Sequence, residues 1–292
     1  MEVIIQPKME AATDLVARVI AKAVRENPRL VIGLATGRTM EAVYARLVQM
    51  HREEGLNFSN CRTFNLDEYV GLSGSHRDSY RHYMNHHLFR HVNIDLQNTH
   101  LPDGLAENLE MECANYEKLI TKCGGIDLQL LGIGLNGHLG FNEPLSAFNS
   151  LTRVKTLSPV TREQNAGLFP SLEQVPNSAI TMGVKTILDS RRCLLLATGE
   201  EKAEIVAKAI EGPITSMVSA TALQLHPACT IILDEAAGSQ LKELAYYHRG
   251  FTNRPEQEFF HSPASGATNE FRIHRQPAVQ PAQRAAEPVQ SK

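Results

Sequence analysis

The stretch "IDLQLLGIGLNGHLGFNEP", residues 126–144, contains an apolar run that is followed at once by a glycine-rich loop. The run "IDLQLLGI" has the length and composition of a strand that is buried on both faces of a parallel sheet. The loop carries the spacing Gly132-x-Gly134-x-x-Gly137, which cradles a dinucleotide pyrophosphate where a strand precedes it and a helix begins within it. The stretch therefore predicts a strand of an α/β sheet that ends either in a dinucleotide site or in a site with other chemistry.

The dinucleotide interpretation has two requirements that the following residues do not meet. Pro144 disfavours helical backbone at Glu143, and no acidic residue follows a next strand about 20 positions further on. The glycines are better explained by a tight bend that brings Asn136, His138 and Glu143 together. A carboxylate beside an imidazole orients the ring and raises its basicity, so the loop predicts a proton-transfer pair. A structural histidine is the alternative for His138 taken alone.

Apolar runs of strand length alternate with segments of helical period along the rest of the chain. The predicted strands cover residues 29–35, 61–66, 126–133, 179–183, 193–198 and 229–234. The predicted helices cover residues 9–27, 40–55, 79–89, 108–124, 200–212 and 219–226. This alternation is typical of an α/β fold. We predict a Rossmann-like architecture, an open, mainly parallel sheet with helices on both faces and a lid insertion.

One domain is predicted over residues 1–250. Residues 144–178 are too long for an ordinary connection, and a long insert beside a site is often a lid. Residues 251–292 turn to Pro, Gln, Ala, Ser and Arg without periodicity, so they are predicted to form a disordered C-terminal tail.

Composition favours a small-molecule partner. The net charge is -3, and the basic and acidic residues are interspersed along the chain. No positively charged surface that would bind nucleic acid or an anionic membrane is therefore expected. No apolar run approaches the roughly 20 residues that span a bilayer, and a basic leader is absent, so a cytoplasmic location is expected. The five cysteines contain no Cys-x-x-Cys pair, and the histidines of 76–91 fit a surface helix better than a metal site, so no metal is predicted.

Polar residues follow three other predicted strands, at the edge where an open α/β sheet binds ligands. Thr36-Gly37-Arg38-Thr39 offers hydroxyls and a positive helix terminus to an anion, and an ordinary strand-to-helix turn is an equal alternative. Of the adjacent Asp67 and Glu68, at most one faces the site, and such a pair is more often a helix cap or solvated surface. Lys202 is either a second phosphate contact or, more commonly, a solvated lysine.

Six segments in order resemble the glucosamine-6-phosphate deaminase family: "LATGRT", "FNLDEYVGL", "GIGLNGHLGFNEP", "LTRVKTL", "AITMGVKTILDS" and "ATGEEKAEIV". The resemblance covers about residues 1–245. It implies conversion of D-glucosamine 6-phosphate and water to D-fructose 6-phosphate and ammonium, without an organic cofactor. Galactosamine-6-phosphate deaminase and a non-catalytic sugar-phosphate sensor are the alternatives, and 6-phosphogluconolactonase is less favoured because it does not require the whole set of Asp67, His138 and Glu143.

The resemblance also implies roles for individual residues. Asp67 takes the C2 proton of the opened sugar and returns it to C1, and His138 opens the pyranose ring. Glu143 and Asn136 orient His138, and an amide at residue 136 supplies no charge. The sugar phosphate is held by Thr36, Gly37, Arg38, Thr39 and Lys202.

Two further features follow from the same resemblance. Arg38 stands where the family commonly has glycine, and Gly167 stands where its lid usually offers arginine, so we hypothesise that Arg38 supplies the relocated guanidinium. Ser146, Arg153 and Lys155 match positions that bind N-acetylglucosamine 6-phosphate between the subunits of allosteric members, which suggests regulation in a homo-oligomer. Exposed charges along a strand are the alternative for Arg153 and Lys155.

Overall fold

The computed structural model describes residues 1–252, which form alternating strands and helices. The strands are β1 Glu2–Gln6, β2 Val31–Leu34, β3 Arg62–Asn65, β4 Asp67–Tyr69, β5 Thr99–His100, β6 Leu128–Leu131, β7 Arg153–Thr156, β8 Ser178–Thr181, β9 Cys193–Ala197 and β10 Cys229–Asp234. The α-helices are α1 Met9–Glu26, α2 Arg38–Glu54, α3 Tyr80–His87, α4 Leu109–Lys122, α5 Pro159–Asn165, α6 Val184–Leu188, α7 Ala203–Glu211, α8 Glu235–Gly238 and α9 Leu244–Thr252.

A seven-stranded sheet of order β1-β10-β9-β6-β2-β3-β5 forms the centre of the fold, and every pair in it is parallel. Strands β2, β6 and β9 are buried at every residue. Their mainly apolar composition, which Gln129 interrupts in β6, suits this burial, because helices surround the sheet. The predicted mainly parallel α/β sheet is confirmed.

The long helices follow the periodicity of the sequence. One face of α1 is buried, including Leu15, Val16 and Ile20, and α1 packs beside α2. Helix α2 ends at Gly55, which has a left-handed backbone with φ of 67°. This conformation costs glycine little, so Gly55 terminates the helix as its position in the sequence predicts.

The prediction that residues 179–183 join the parallel sheet is wrong. Strand β8 lies instead in a separate sheet of order β4-β8-β7, in which both pairs are antiparallel. Strands β4 and β7 have the short sequences "DEY" and "RVKT", which carry too little apolar alternation to be recognised as strands. The predicted helix over 219–226 is a 3₁₀ helix, Ser219–Leu225, in the structure.

The connection between β7 and β8, residues 157–177, contains α5 and two 3₁₀ turns, so the long insert has structure of its own. It closes over a small cluster of buried aromatic residues that includes Tyr69, Tyr80, Phe141 and Phe169. Helix α9 continues to Thr252, two residues past the predicted domain end. The rest of the predicted tail, 253–292, lies outside the described residues. Within residues 1–252, no helix is long and apolar enough to cross a membrane.

Candidate active site

The candidate residues lie on loops that leave four adjacent strands at the same edge of the sheet. Strands β9, β6, β2 and β3 are neighbours in that order, and all four run in the same direction. Their carboxyl ends lead respectively to Lys202, the glycine-rich loop 132–144, the loop 36–39 and Asp67. Parallel strands therefore bring segments from distant parts of the sequence to one place, as is usual for ligand sites of open α/β sheets.

Asp67 lies at the start of β4, where it pairs with Thr181 of β8. Its side chain is 5% exposed, and burial, followed by the nearby charge of Glu68, raises the pKa of Asp67 well above its usual range. A Cβ at Gly140 would lie 3.1 Å from Oδ2 of Asp67. The carboxylate thus lies against the glycine-rich loop, and a side chain at residue 140 would crowd it.

Glu68 contacts a different part of the molecule from its neighbour Asp67. Its carboxylate accepts hydrogen bonds from the backbone N–H groups of Tyr69 at 2.9 Å, Tyr80 at 3.0 Å and Arg81 at 2.9 Å. Burial raises the pKa of Glu68 even though these three donors act to lower it. Glu68 therefore ties β4 to the first turn of α3 and leaves Asp67 to face the loop.

The glycines of the loop 132–144 make room for His138. A Cβ at Gly134 would lie 2.3 Å from Nε2 of His138, so the imidazole occupies the space that a side chain would fill. Gly137 has φ of +81°, and a Cβ there would lie 2.5 Å from Val218 and 2.9 Å from Ile205. No helix begins in this loop; the next one in the described chain is α5. The arrangement is therefore unlike the strand-turn-helix of a dinucleotide site.

Glu143 is held by donors from its own loop and from the segment that begins α5. Its Oε1 accepts from the backbone N–H of Ser158 at 2.9 Å, and its Oε2 accepts from Nδ2 of Asn136 at 3.0 Å and Oγ of Ser158 at 3.1 Å. Burial acts to raise the pKa of Glu143, but the net effect is a lowered pKa. The largest lowering contributions are the hydrogen bonds from Thr161 and from the backbone of Ser158. Glu143 is thus a buried carboxylate that stays ionised.

Asn136 orients the backbone around His138. Its Oδ1 accepts from the backbone N–H of His138 at 3.2 Å, while its Nδ2 donates to Glu143. The imidazole Nδ1 lies 3.5 Å from Oγ1 of Thr161. Burial lowers the pKa of His138 to about 4, with the charge of Lys202 acting in the same sense and that of Glu143 in the opposite one. The ring is therefore neutral near pH 7 and can accept a proton.

Lys202 lies within the electrostatic influence of Arg38, the exposed first residue of α2, in the segment 36–39. Gly37 has φ of 111°, and its carbonyl accepts a hydrogen bond from the hydroxyl of Tyr83 at 2.8 Å. Lys202 donates from Nζ to the carbonyl of Ile133 at 2.9 Å. Burial lowers the pKa of Lys202, and the positive charge of Arg38 adds to this effect while Glu201 opposes it. Paired cations next to a helix N-terminus form a favourable environment for an anion.

Arg153 and Ser146 are in direct contact. The guanidinium donates to Oγ of Ser146 at 3.0 Å and to Oδ1 of Asn142 at 2.9 Å. Lys155 lies two residues further along β7 and so points to the same side of that strand. Elsewhere, the rings of His82 and His86 stack with centroids 6.5 Å apart. No group of three or more metal-ligating side chains occurs among the described residues.

Sequence reasoning missed several residues that shape the site. Ser158 and Thr161 contact the His138 loop from α5, and the hydroxyl of buried Ser219 donates to the carbonyl of Asn142 at 2.9 Å and accepts from the N–H of Leu139 at 3.1 Å. The pair Ser158-Pro159 is a typical helix N-terminus and could have predicted where α5 begins. Nothing in the local sequence indicates that Ser219 contacts the loop.

A family model for glucosamine-6-phosphate isomerases/6-phosphogluconolactonase matches residues 6–234. The chain belongs to this family. A member of the family, a glucosamine-6-phosphate deaminase of Geobacillus sp. (strain WCH70), is 50% identical over 237 residues, which are 81% of this chain and 94% of the relative. The glucosamine-6-phosphate deaminase of Thermoanaerobacter pseudethanolicus is 46% identical over 83% of this chain and 96% of the relative.

Solved structures of family members have folds similar to that of this chain. A monomeric glucosamine-6-phosphate deaminase has a TM-score of 0.81 and 46% identity, and the match covers 82% of this chain and 100% of the other. The 6-phosphogluconolactonase of Trypanosoma brucei has a TM-score of 0.63 at 19% identity, covering 82% of this chain and 98% of the other. The lactonase likeness is one of fold alone.

Proposed function

We propose that the protein converts D-glucosamine 6-phosphate and water to D-fructose 6-phosphate and ammonium. The observation that carries the proposal is the contact of Asp67 with the His138 loop at Gly140, in a chain 50% identical to a glucosamine-6-phosphate deaminase. A carboxylate that lies against the loop of a neutral imidazole suits a reaction that moves several protons between oxygen and carbon.

His138 acts first, on the closed sugar. The neutral imidazole takes the proton of the C1 hydroxyl, the bond between C1 and the ring oxygen breaks, and the proton is returned to that oxygen. The ionised Glu143 stabilises the imidazolium that forms between these two transfers, because its charge favours the protonated ring. The product of this step is the open-chain aldehyde.

Asp67 acts second, on the open chain. Its carboxylate takes the proton from C2 and returns it to C1, while a proton of the amino group passes to O1. The aldehyde at C1 thus becomes a hydroxyl group, and an imine is left at C2. Water adds to the imine, ammonium leaves, and the ketose phosphate remains. The raised pKa of Asp67 suits this task, because a more basic carboxylate removes a carbon-bound proton more readily.

The loop 36–39 and Lys202 hold the phosphate in this proposal, with Arg38 as the arginine that reaches it. The proximity of Arg38 to Lys202 supports this role, since two cations without an anion between them repel each other. Gly167 is exposed, and a side chain there would meet no atom within 4 Å. Position 167 therefore has space for the arginine that the family resemblance leads one to expect.

We expect Arg38→Ala to raise KM about tenfold or more, because a bidentate phosphate contact is lost, with a smaller effect on kcat. The double variant Arg38→Ala/Gly167→Arg should recover part of the lost affinity. Steady-state kinetics measure both. An unchanged KM in Arg38→Ala would refute the relocation of the arginine.

The reaction itself is tested by incubating the purified protein with glucosamine 6-phosphate and, separately, galactosamine 6-phosphate. Ammonium and ketose phosphate are expected in equal amounts from glucosamine 6-phosphate. Release from galactosamine 6-phosphate alone would assign the epimeric substrate. If calorimetry detects binding but neither sugar gives a product, the protein is a sugar-phosphate sensor and the proposed enzyme activity is wrong.

Organisation and regulation complete the proposal. We infer a cytoplasmic enzyme with one catalytic domain over about residues 1–250, a lid within 144–178 and a tail that follows α9. Ser146, Arg153 and Lys155 form an N-acetylglucosamine 6-phosphate site in a homo-oligomer under this proposal. Sedimentation measures the subunit number. If the rate depends hyperbolically on substrate concentration and N-acetylglucosamine 6-phosphate does not change this dependence, the regulatory site is refuted.

A further inference from the structure

The first turn of α5 docks on the carboxylate of Glu143. Ser158, the residue that caps the helix, contributes its backbone N–H at 2.9 Å and its hydroxyl at 3.1 Å. The Ser158 hydroxyl also accepts from the backbone N–H of Thr161 at 3.2 Å, which is the capping bond of the helix. The same serine therefore caps the start of the helix and binds the carboxylate whose charge favours protonated His138.

Thr161 lies between Glu143 and His138. Its side chain is fully buried, its Oγ1 accepts from Oγ of Ser158 at 3.1 Å, and the same Oγ1 lies 3.5 Å from Nδ1 of His138. Its hydroxyl also helps to lower the pKa of Glu143 through a side-chain hydrogen bond. A threonine hydroxyl has one proton and two lone pairs. When that proton is donated to the carboxylate, the two lone pairs accept from Ser158 and from the imidazole, so the contact with the ring requires a proton on Nδ1.

We propose that Thr161 is a positioning residue that relays Glu143 to His138 and selects the imidazole tautomer with the proton on Nδ1. Nε2 is then left with its lone pair as the base of the ring-opening step. This inference rests on the proposed function and adds to it the group that orients the histidine. The 3.5 Å contact is at the outer limit of a hydrogen bond, and we expect it to shorten when substrate binds.

The charged groups near His138 change its pKa but do not select its tautomer. Glu143 from the same loop favours the protonated ring, and Lys202, which follows β9, disfavours it. Asn136 contacts the backbone N–H of His138. Thr161 is the neutral polar contact to the ring and comes from α5, so docking of α5 and orientation of the base occur together.

The test compares Thr161→Val, which keeps the shape and removes the hydroxyl, with Thr161→Ser, which keeps the hydroxyl. Thr161→Val should lower kcat about 30-fold, which is less than the full contribution of a general base, about 10²–10⁴. Thr161→Ser should stay within about threefold of the wild type. The Kd for 2-amino-2-deoxyglucitol 6-phosphate, an open-chain polyol that needs no ring opening, should change less than about twofold in either variant.

Two outcomes would overturn the inference. A kcat of Thr161→Val equal to that of the wild type would show that the hydroxyl is not needed. Equal losses of kcat and polyol affinity in Thr161→Val and Thr161→Ser, with a lower Tm, would show that Thr161 only packs the helix.

A spectroscopic measurement separates this inference from the proposed reaction. The ¹⁵N chemical shifts of the His138 ring, identified as the signals that His138→Gln removes, report the tautomer without any turnover. The wild type should carry its proton on Nδ1, and Thr161→Val should shift the population toward Nε2. A proton on Nε2 in the wild type refutes the relay even if ammonium is released, and failure of ammonium release refutes the reaction even if the tautomer is as expected.

Discussion

Asp67 and Glu143 are two carboxylates at the same edge of the sheet, with almost the same exposure of 5% and 4%, yet their acidities shift in opposite directions. The pKa of Asp67 is raised by burial and by Glu68, and no donor from the described residues counters this. The pKa of Glu143 is lowered, because hydrogen bonds from Thr161, Ser158 and Asn136 outweigh its burial.

The difference teaches that hydrogen-bond donors, together with the degree of burial, decide what a carboxylate does here. A carboxylate without donors favours its protonated form and is suited to take up a proton. A carboxylate with several donors stays charged and is suited to stabilise a cation. Environments that separate two acidities in this way are typical of sites in which each group has its own role.

The largest effect is expected when the carboxylate of Asp67, which accepts the carbon-bound proton, is removed. Asp67→Asn has nearly the same shape and cannot accept this proton, so kcat should fall about 10³-fold. Wild-type protein in deuterated water should incorporate deuterium at C1 of the product to the extent that the proton held by Asp67 exchanges with solvent, and the variant should not. Activity above about a tenth of the wild type would show that another group removes the C2 proton.

A smaller effect is expected from displacing His138 without changing its chemistry. In Gly134→Ala the new Cβ would lie 2.3–2.6 Å from ring atoms of His138, so the imidazole must move. A displacement of about 1 Å can cost about 10²-fold in rate, and we expect a loss of this order in kcat. Gly238→Ala is the matched control, because its nearest neighbours are at ordinary contact distances of 3.5–3.7 Å. Equal kcat values in the two variants would contradict the steric role of Gly134.

Glu143→Gln should lower kcat about tenfold to thirtyfold. The change removes the charge that favours the imidazolium and turns one acceptor into a donor that faces Asn136 or Ser158. An unsatisfied buried donor costs about 1–3 kcal/mol, so Tm should fall as well. The NMR titration of His138 should move below its pKa of about 4, because the favourable charge is gone. A titration that moves upward would reverse the role assigned to Glu143.

The smallest expected effect is a shift of the acid limb of the pH profile. Asp67 must be ionised to accept the C2 proton, so kcat should rise with pH through the raised pKa of Asp67, above the usual range of a carboxyl group. Glu68→Gln removes a like charge and should move this limb to lower pH. The profile of kcat against pH measures the shift. A limb that moves to higher pH would show that Glu68 stabilises the ionised form of Asp67.

The sequence predicted the strands with uninterrupted apolar composition and the helices with clear periodicity. Strands β2, β6, β9 and β10 and helices α1 and α4 fall within the predicted segments, and α2 begins two residues before its predicted segment. Burial on both faces of a strand or on one stripe of a helix leaves a local pattern. The small antiparallel sheet was not predicted. Its strands β4 and β7 are short and polar, and they are stabilised by pairing with β8, whose position in the fold is not a local property.

The candidate site was predicted in its residue types and not in its contacts. The glycines, His138 and Glu143 share one loop, so their proximity could be predicted from spacing. The docking of Ser158 and Thr161 on Glu143 joins segments 15 or more residues apart, and no periodicity indicates it. The same holds for Ser219, which reaches the loop from 77 residues further along the chain.

What the sequence determined by itself is the order of the elements, the glycines that allow the loop to bend and the ionisable groups at the ends of the strands. What only the tertiary structure decided is the acidity and orientation of those groups. Asp67 becomes more basic because packing buries it beside Glu68, and Glu143 stays ionised because a helix from another segment brings donors to it. The physical reason is that desolvation and hydrogen bonding depend on neighbours in space, which a linear pattern does not contain.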